Sequence, residues 1–322
     1  MGLAALLLLG LAIAWLSGVL AIHRALTRPP RRTYATAVAR NRAGDPSELD
    51  PPRRFESWTF TSRGLALPVW DIEGDDPAGP IVVLSHGWGD SRIGALQRLP
   101  LVAGVASRVI AWDLPAHGDA PGGGSLGTNE VDDLLALFDA IGEPHRPMLL
   151  YGWSLGAGVS IAAAARLRDE SHPNIVGVVA EAPYRVPRTP ALRMLRAMRV
   201  PHTGMLGAAL LLASRTAPLL RRPNGFDRAA RAAEVRCPLL VLHGSNDEIC
   251  PIDDGRAIAE ASLHAASRIE VFEGSLHNDL WHDPARVAHA ANAVVALLAL
   301  GRSSPSPRAT AHSTGDATGL RS

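Results

Sequence analysis

The chain has 322 residues, enough for one large domain and some additional segments. Hydrophobic residues make up 47% and charged residues 20%, a balance typical of a globular protein with a sizeable core. The formal net charge of +1 gives no electrostatic basis for binding nucleic acid, and two cysteines are too few for a disulfide framework or a cysteine-rich zinc site.

The N-terminus carries a long uncharged segment. No charged residue occurs from Gly2 to Ile22, and a helix of that length spans about 31 Å, close to the thickness of bilayer hydrocarbon. The positive charges that follow it predict that the next domain stays cytoplasmic; they are Arg24, Arg28, Arg31 and Arg32. We therefore predict a single-pass transmembrane anchor over residues 1–23. A signal peptide cleaved after Ala21 is the main alternative, and a buried helix of a soluble protein is the second.

Residues 24–54 are rich in Pro and Arg and are typical of a linker. The segments Phe55–Thr61 and Leu65–Asp71 then predict a hairpin around a Ser-Arg-Gly turn. Beyond the hairpin, short apolar runs alternate with helical stretches. The runs are Ile81–Ser85, Arg108–Asp113, Met148–Trp153, Ile175–Ala180, Leu239–His243 and Arg268–Phe272. The predicted helices are Glu130–Ile141, Leu155–Arg168, Ile252–His264 and Pro284–Leu300.

Continuous apolar runs of this length, separated by helices, are typical of parallel strands that are buried on both faces. The pattern predicts an α/β domain over residues 55–301, with a mostly parallel sheet, an antiparallel edge and helices on both faces.

Residues 184–235 interrupt the alternation. They contain helical segments near Pro190–Met198 and Met205–Leu212, the second without polar side chains, and they predict a lid insertion over the carboxyl edge of the sheet. The Ser/Thr/Gly-rich tail, residues 302–322, is predicted to be disordered.

The sequence Gly-Trp-Ser-Leu-Gly at 152–156 directly follows a predicted strand and opens a predicted helix. A turn this tight needs glycine on both sides of the serine, and it lifts the Ser154 hydroxyl out at the carboxyl end of the strand. The helix N-terminus behind it favours developing negative charge. We predict that Ser154 is a catalytic nucleophile.

A second pentapeptide fits the same Gly-x-Ser-x-Gly pattern. It surrounds Ser125, but it follows Pro121-Gly122 rather than a strand and is typical of a flexible loop. The pattern alone is therefore weak evidence, and the strand-to-helix context favours Ser154 over Ser125.

A nucleophilic serine needs a base, and the base needs an orienting acid. Asp247 follows the late strand Leu239–His243, and His277 follows the last strand, so we predict these two for the acid and the base. Glu248 and Glu181 remain alternative acids, and His282 is an alternative base.

The oxyanion hole needs two backbone N–H groups. Leu155, which follows the nucleophile, supplies one. The loop after the strand Ile81–Ser85 supplies the second, and Trp88 is the predicted donor because Gly87 lets the backbone turn toward the serine. His86 in the same loop lies too early in the chain for the base, and we interpret it as structural.

These motifs resemble those of the α/β-hydrolase superfamily, and specifically the branch of serine aminopeptidases S33 and monoacylglycerol lipases. The matching segments are 84–89, 113–118, 152–156, 243–247 and 274–277, in order along nearly the whole soluble part. The resemblance implies an eight-stranded sheet, a Ser-Asp-His triad and no cofactor. The family often has Arg and Gly where Pro115 and Ala116 stand and Val where Cys250 stands; we expect neither departure to touch the catalytic groups.

We thus expect a membrane-bound serine hydrolase that cleaves an ester or thioester of a small-molecule substrate with an apolar acyl group. An aminopeptidase is the alternative; it would need an acidic group for the substrate amine, and Glu181 is the candidate. A hydrolase fold used only as a membrane-tethered binding module is the third possibility.

Overall fold

The computed structural model describes residues 2–167, 174–216, 226–277 and 279–303. Its strands are β1 (Phe55–Ser62), β2 (Leu65–Glu73), β3 (Ile81–Ser85), β4 (Arg108–Trp112), β5 (Met148–Trp153), β6 (Ile175–Glu181), β7 (Leu239–Gly244) and β8 (Arg268–Phe272). Within the described residues they form one eight-stranded sheet in the order β1-β2-β4-β3-β5-β6-β7-β8.

Only the β1-β2 and β2-β4 pairs are antiparallel, and the remaining neighbours are parallel. The hairpin between β1 and β2 turns through Arg63 and Gly64, which both have positive φ. Strands β3, β5 and β7 are buried at every residue, as their continuous apolar runs predict. The predicted mostly parallel sheet with an antiparallel edge is confirmed.

The helices are α1 (Gly2–Thr27), α2 (Tyr34–Val38), α3 (Leu99–Val102), α4 (Glu130–Ile141), α5 (Leu155–Arg166), α6 (Arg188–Ala197), α7 (Leu206–Thr216), α8 (Arg228–Ala232), α9 (Ile252–Ala261) and α10 (Pro284–Ser303). Short 3₁₀ turns lie at Pro46–Glu48, Arg92–Gln97, Ala103–Val105 and Leu280–His282.

Alternate residues of the central strands enter two separate cores. In β3, Ile81 and Val83 pack with α4, α5, α8 and α9, whereas Val82 and Leu84 pack on the other face with α3 and α10. Helices therefore cover both faces of the sheet, as predicted.

The segment between β6 and β7 contains α6, α7 and α8. The first two match the predicted helices, whereas α8 was not predicted. Of the predicted tail, residues 302 and 303 belong to α10, and residues 304–322 lie outside the described residues.

The N-terminal region differs from its prediction at one boundary. Helix α1 continues to Thr27, beyond the predicted anchor over 1–23, and the predicted linker over 24–54 includes α2 and a 3₁₀ turn. Among the described residues, α1 is the one helix long and apolar enough to cross a membrane. From Gly2 to Ser17 its side chains are exposed, whereas Val19, Ile22 and Leu26 are buried against the domain.

Candidate active site

Ser154 lies at a strained turn between β5 and α5. Its backbone has φ 53° and ψ −108°, a conformation that L-residues rarely adopt. A Cβ at Gly152 would collide with the backbone of Gly156, and one at Gly156 would collide with Ser85. The two glycines are required by close approach of the chain, and the turn places the serine at the N-terminus of α5.

Asp247 and His277 meet at the carboxyl edge of the sheet. The Nδ1 atom of His277 lies 2.7 Å from Oδ2 of Asp247. The backbone N–H groups of Ile249 and Cys250 donate to Oδ1 of the same carboxylate at 2.8 and 2.7 Å. Asp247 is thus fixed on both oxygens, and it can orient the imidazole of His277.

His243 also belongs to this network, although it was not predicted from the sequence. Its Nε2 lies 3.5 Å from Oδ2 of Asp247 and 3.1 Å from the carbonyl oxygen of Cys250. Burial opposes ionisation of Asp247, but the hydrogen bonds from His243 and His277 outweigh it and hold the pKa of Asp247 well below its usual range. The sequence did contain a signal for this contact, because His243 lies at the end of a buried strand, four residues before Asp247.

Cys250 corrects one expectation. We expected the family's Val-to-Cys departure to leave the catalytic groups untouched, but the Cys250 sulfur lies within 4.8 Å of the side-chain donor atoms of Asp247 and His277. The loop after β7 curls back over Asp247, which brings a residue three positions later against the histidine. Burial raises the pKa of the Cys250 thiol, so the thiol is protonated at neutral pH.

His277 is surrounded by groups with opposing effects. Burial disfavours its charged imidazolium, whereas the Cys250 sulfur, as a weak acceptor, and the hydrogen bond to the Asp247 carboxylate favour it, and on balance the pKa of His277 is raised. As the predicted base, His277 must be neutral to accept a proton, so catalysis through it is expected to be lost as the pH falls through this pKa.

Replacing Cys250 by Val is therefore expected to shift the acid limb of the profile of kcat/KM against pH. The sulfur of a neutral thiol is a weak hydrogen-bond acceptor, which slightly favours an imidazolium N–H beside it. Its loss therefore lowers the pKa of His277, and we expect the midpoint to move to lower pH by at most about half a unit. Cys237→Val is the matched control, because Cys237 precedes β7 away from the cavity. An unmoved midpoint, or a move to higher pH, would contradict this role for the thiol.

The predicted oxyanion loop lies beside Ser154, the predicted nucleophile. A Cβ on Gly87 would come within 3.3 Å of the Ser154 Cβ, so the backbone passes close to the serine because position 87 is glycine. Trp88 follows, and its indole N–H donates to the carbonyl oxygen of Leu26 in α1 at 2.9 Å. Leu155 is the first residue of α5 and adjoins the serine from the other side.

His86 is fully buried and both its ring nitrogens are engaged. Nε2 accepts a hydrogen bond from the backbone N–H of Leu114 at 3.0 Å, so Nδ1 carries the proton and donates to the carbonyl oxygen of Gly87 at 2.8 Å. Burial lowers the pKa of His86 to about 4, which keeps the ring neutral. This geometry fits the predicted structural role of His86, because its two hydrogen bonds fix the backbone of the loop.

The rival residues lie in other environments. The Ser125 hydroxyl donates to the buried carboxylate of Glu130, which ties it to the start of α4.

Glu181 is fully buried and bound by Arg98 at 2.8 and 2.7 Å, by the Tyr151 hydroxyl at 2.9 Å and by the Trp281 indole at 3.1 Å. Glu248 and His282 are exposed at the rim of the cavity described next.

A cavity of about 740 Å³ lies against the predicted nucleophile, base and oxyanion donors. Its lining includes Trp88, Ser154, Leu155 and His277. Apolar residues of α6 and its flanks form part of the wall; they are Pro187, Pro190, Ala191, Met194, Leu195 and Met198. The volume suits a ligand of lipid or drug size.

Side-chain donor atoms of Asp247, Cys250 and His277 all lie within 4.8 Å of one another, a spacing that could hold a metal ion. However, the Asp247 carboxylate and the His277 ring are already joined by a hydrogen bond. The arrangement therefore fits transfer of a proton from a nucleophile to the histidine better than ligation.

Residues 82–291 match the alpha/beta hydrolase family. The pimeloyl-[acyl-carrier protein] methyl ester esterase of Chromobacterium violaceum is 30% identical over 219 residues, which cover 57% of this chain and 82% of the relative. The monoacylglycerol lipase of Mycolicibacterium smegmatis is 25% identical over 251 residues, covering 68% and 88%. An esterase structure from Pyrococcus furiosus superposes with a TM-score of 0.63 at 18% identity, covering 85% and 97%. This chain belongs to the alpha/beta hydrolase family and is a hydrolase that acts on ester bonds.

Proposed function

We propose that the protein is a serine esterase in which Ser154, His277 and Asp247 act as a triad. The observation that carries this proposal is that the strained serine and His277, which is hydrogen-bonded to Asp247, line one cavity. A strained backbone of this kind costs of order 1–3 kcal/mol of folding stability. Such residues cluster at active sites, where the strain is part of the mechanism.

In this mechanism the Ser154 hydroxyl attacks the acyl carbon, and His277 takes the proton and later gives it to the leaving alcohol. Asp247 holds the tautomer in which Nδ1 carries a proton, and it stabilises the imidazolium. The backbone N–H groups of Trp88 and Leu155 donate to the oxyanion. Water then attacks the acyl-enzyme by the same route in reverse, releasing the acid and restoring the serine.

We assign an apolar acyl substrate and the monoacylglycerol-lipase-like branch. The α6 wall of the cavity is largely apolar, and the named relatives include a methyl ester esterase and a monoacylglycerol lipase. In this proposal the insertion over residues 184–235 is a lid above the serine, although residues 217–225 lie outside the described residues.

The aminopeptidase alternative receives no support from Glu181. A substrate amine would have to displace Arg98 from a fully buried, bidentate ion pair, which is strongly unfavourable because it leaves a guanidinium unpaired. A purely binding role is disfavoured by the retained strain at Ser154, which a binding module would not need.

We further propose that α1 is a retained anchor with the catalytic domain on the cytoplasmic side. Its mean hydropathy is 2.5, and arginines follow its apolar part. Cleavage after Ala21 would remove Val19, which is buried against the domain.

Turnover of p-nitrophenyl esters of rising acyl length, compared with aminoacyl p-nitroanilides, tests the substrate class. We expect kcat/KM to rise with acyl length as the apolar wall is filled, and to exceed that of every anilide. Faster anilide than ester turnover would replace the esterase by an amidase.

A further inference from the structure

The end of α1 is built into the active site. The carbonyl oxygen of Leu26 accepts the indole N–H of Trp88 at 2.9 Å, and the carbonyl oxygen of Thr27 accepts the backbone N–H of Gly124 at 2.8 Å. Ala25 and Leu26 also line the cavity that contains Ser154. The helix therefore forms a wall of the cavity and fixes the residue proposed to hold the oxyanion.

The segment after α1 continues this attachment. Arg31 donates to the carbonyl oxygen of Gly118 at 3.1 Å, and Arg32 pairs with Asp90 in the oxyanion loop at 3.1 Å. Arg40 and Arg42 lie farther along and line the same cavity. Four arginines thus line the cavity immediately beyond the apolar part of α1, where lipid phosphates would lie.

Helix α7 also packs against the C-terminal half of α1. Gly18 of α1 lies against Met205, where an added Cβ would meet the thioether, and Val19 is buried. From Leu206 to Ala213 the sequence of α7 has no polar side chain, and Leu211 keeps 44% of its surface exposed. The two helices thus present one apolar surface, which we call the α1–α7 face.

The length of α1 determines how deep this face lies. The free part, Gly2–Ser17, is about 24 Å long, shorter than the hydrocarbon core of about 30 Å. If α1 fills the hydrocarbon core of the bilayer, residues 18–21 must therefore lie in that core too. The start of α7 packs against Gly18, so it is expected to lie at the same depth. Leu26 lies about 6 Å along the axis beyond Ile22, which places the cavity wall in the head-group layer.

We propose that the α1–α7 face seats the domain in the bilayer surface, so that the cavity opens among lipid head groups and takes an acyl ester directly from the membrane. This inference rests on the proposed function. It identifies the substrate class as a membrane-resident acyl ester, whose chain need not cross bulk water before reaching Ser154.

The test uses the full chain in phosphatidylcholine vesicles with two esters that share a leaving group. p-Nitrophenyl butyrate is soluble in water, and p-nitrophenyl palmitate partitions into the bilayer. The test variant carries two insertions. A second copy of residues 4–9 lengthens the apolar part of α1, so that it still spans the bilayer without residues 18–21. A Gly/Ser spacer of about 20 residues, about 25 Å in r.m.s. length, is inserted before Gly18 and separates the domain from the anchor.

Lifting the domain in this way is expected to leave butyrate turnover within about twofold and to lower palmitate turnover at least about tenfold, because the local concentration of the bilayer ester is lost. Equal palmitate turnover with and without the spacer would overturn the inference. If the natural chain hydrolysed neither ester, the proposed function itself would fail, which is a different result.

Point variants provide a second readout. Leu211→Glu puts a charge on the α1–α7 face and is expected to reduce palmitate turnover several-fold while sparing butyrate. Val295→Glu is the matched control, because Val295 is similarly exposed at 49% but lies on α10, which packs on the opposite face of the sheet. Equal effects of the two variants, or a purified protein that begins after Ala21, would also overturn the inference.

Discussion

Replacing Ser154 by Ala is expected to abolish ester hydrolysis, lowering kcat by about 10⁴-fold or more while the protein remains folded. Alanine keeps the Cβ and the strained backbone of the turn, so the variant removes the hydroxyl alone. Initial rates with p-nitrophenyl butyrate measure the loss, and circular dichroism verifies the fold.

Ser125→Ala is the matched control, because Ser125 occupies the same pentapeptide pattern. Its hydroxyl donates to Glu130 and accepts from the backbone N–H of Asn129 at 2.8 Å, so the substitution removes two hydrogen bonds. We expect a stability loss of about 1–3 kcal/mol with kcat nearly unchanged. A large loss of kcat in Ser125→Ala, with Ser154→Ala active, would reverse the assignment.

Asp247→Asn is expected to lower kcat by about 10³–10⁴-fold with little change in fold. The amide oxygen can still accept from Ile249 and Cys250, but the amide NH₂ then faces His277. An NH₂ group donates, so it favours the tautomer whose Nδ1 is unprotonated, and Nε2 can no longer take the serine proton.

Glu248→Gln tests the rival acid in the same loop. Because Glu248 is exposed and its neighbour binds the histidine, we expect kcat to stay within a few-fold of the unmodified enzyme. Comparable losses in the two variants would show that charge in the loop, rather than the tautomer of His277, controls the rate.

The sheet could be predicted because its signals are local. Each buried strand is a continuous apolar run, and the predicted ends lie within one or two residues of those observed, as for Ile81–Ser85 in β3. The chain order also indicated that Ser154, Asp247 and His277 follow strands that share one edge, and the structure places the serine and the histidine in one cavity.

Contacts that depend on how loops curl could not be predicted. The spacing from Asp247 to Cys250 gave no indication that the backbone turns back to bring the thiol within 4.8 Å of the His277 ring nitrogen. The bond from Trp88 to Leu26 joins residues 62 positions apart, and it exists because α1 packs on the domain. The apolar composition and the arginines that follow it predicted an anchor in lipid, but they gave no sign that the end of α1 packs on the domain.

The most direct test of the central claim is covalent labelling with a fluorophosphonate, which reacts with an activated serine. We expect one adduct on the folded full-length chain, located by mass spectrometry on the peptide containing Ser154 and absent from His277→Ala. A folded chain that stays unlabelled beside a reactive control esterase, or that carries the label on another serine, would contradict the triad.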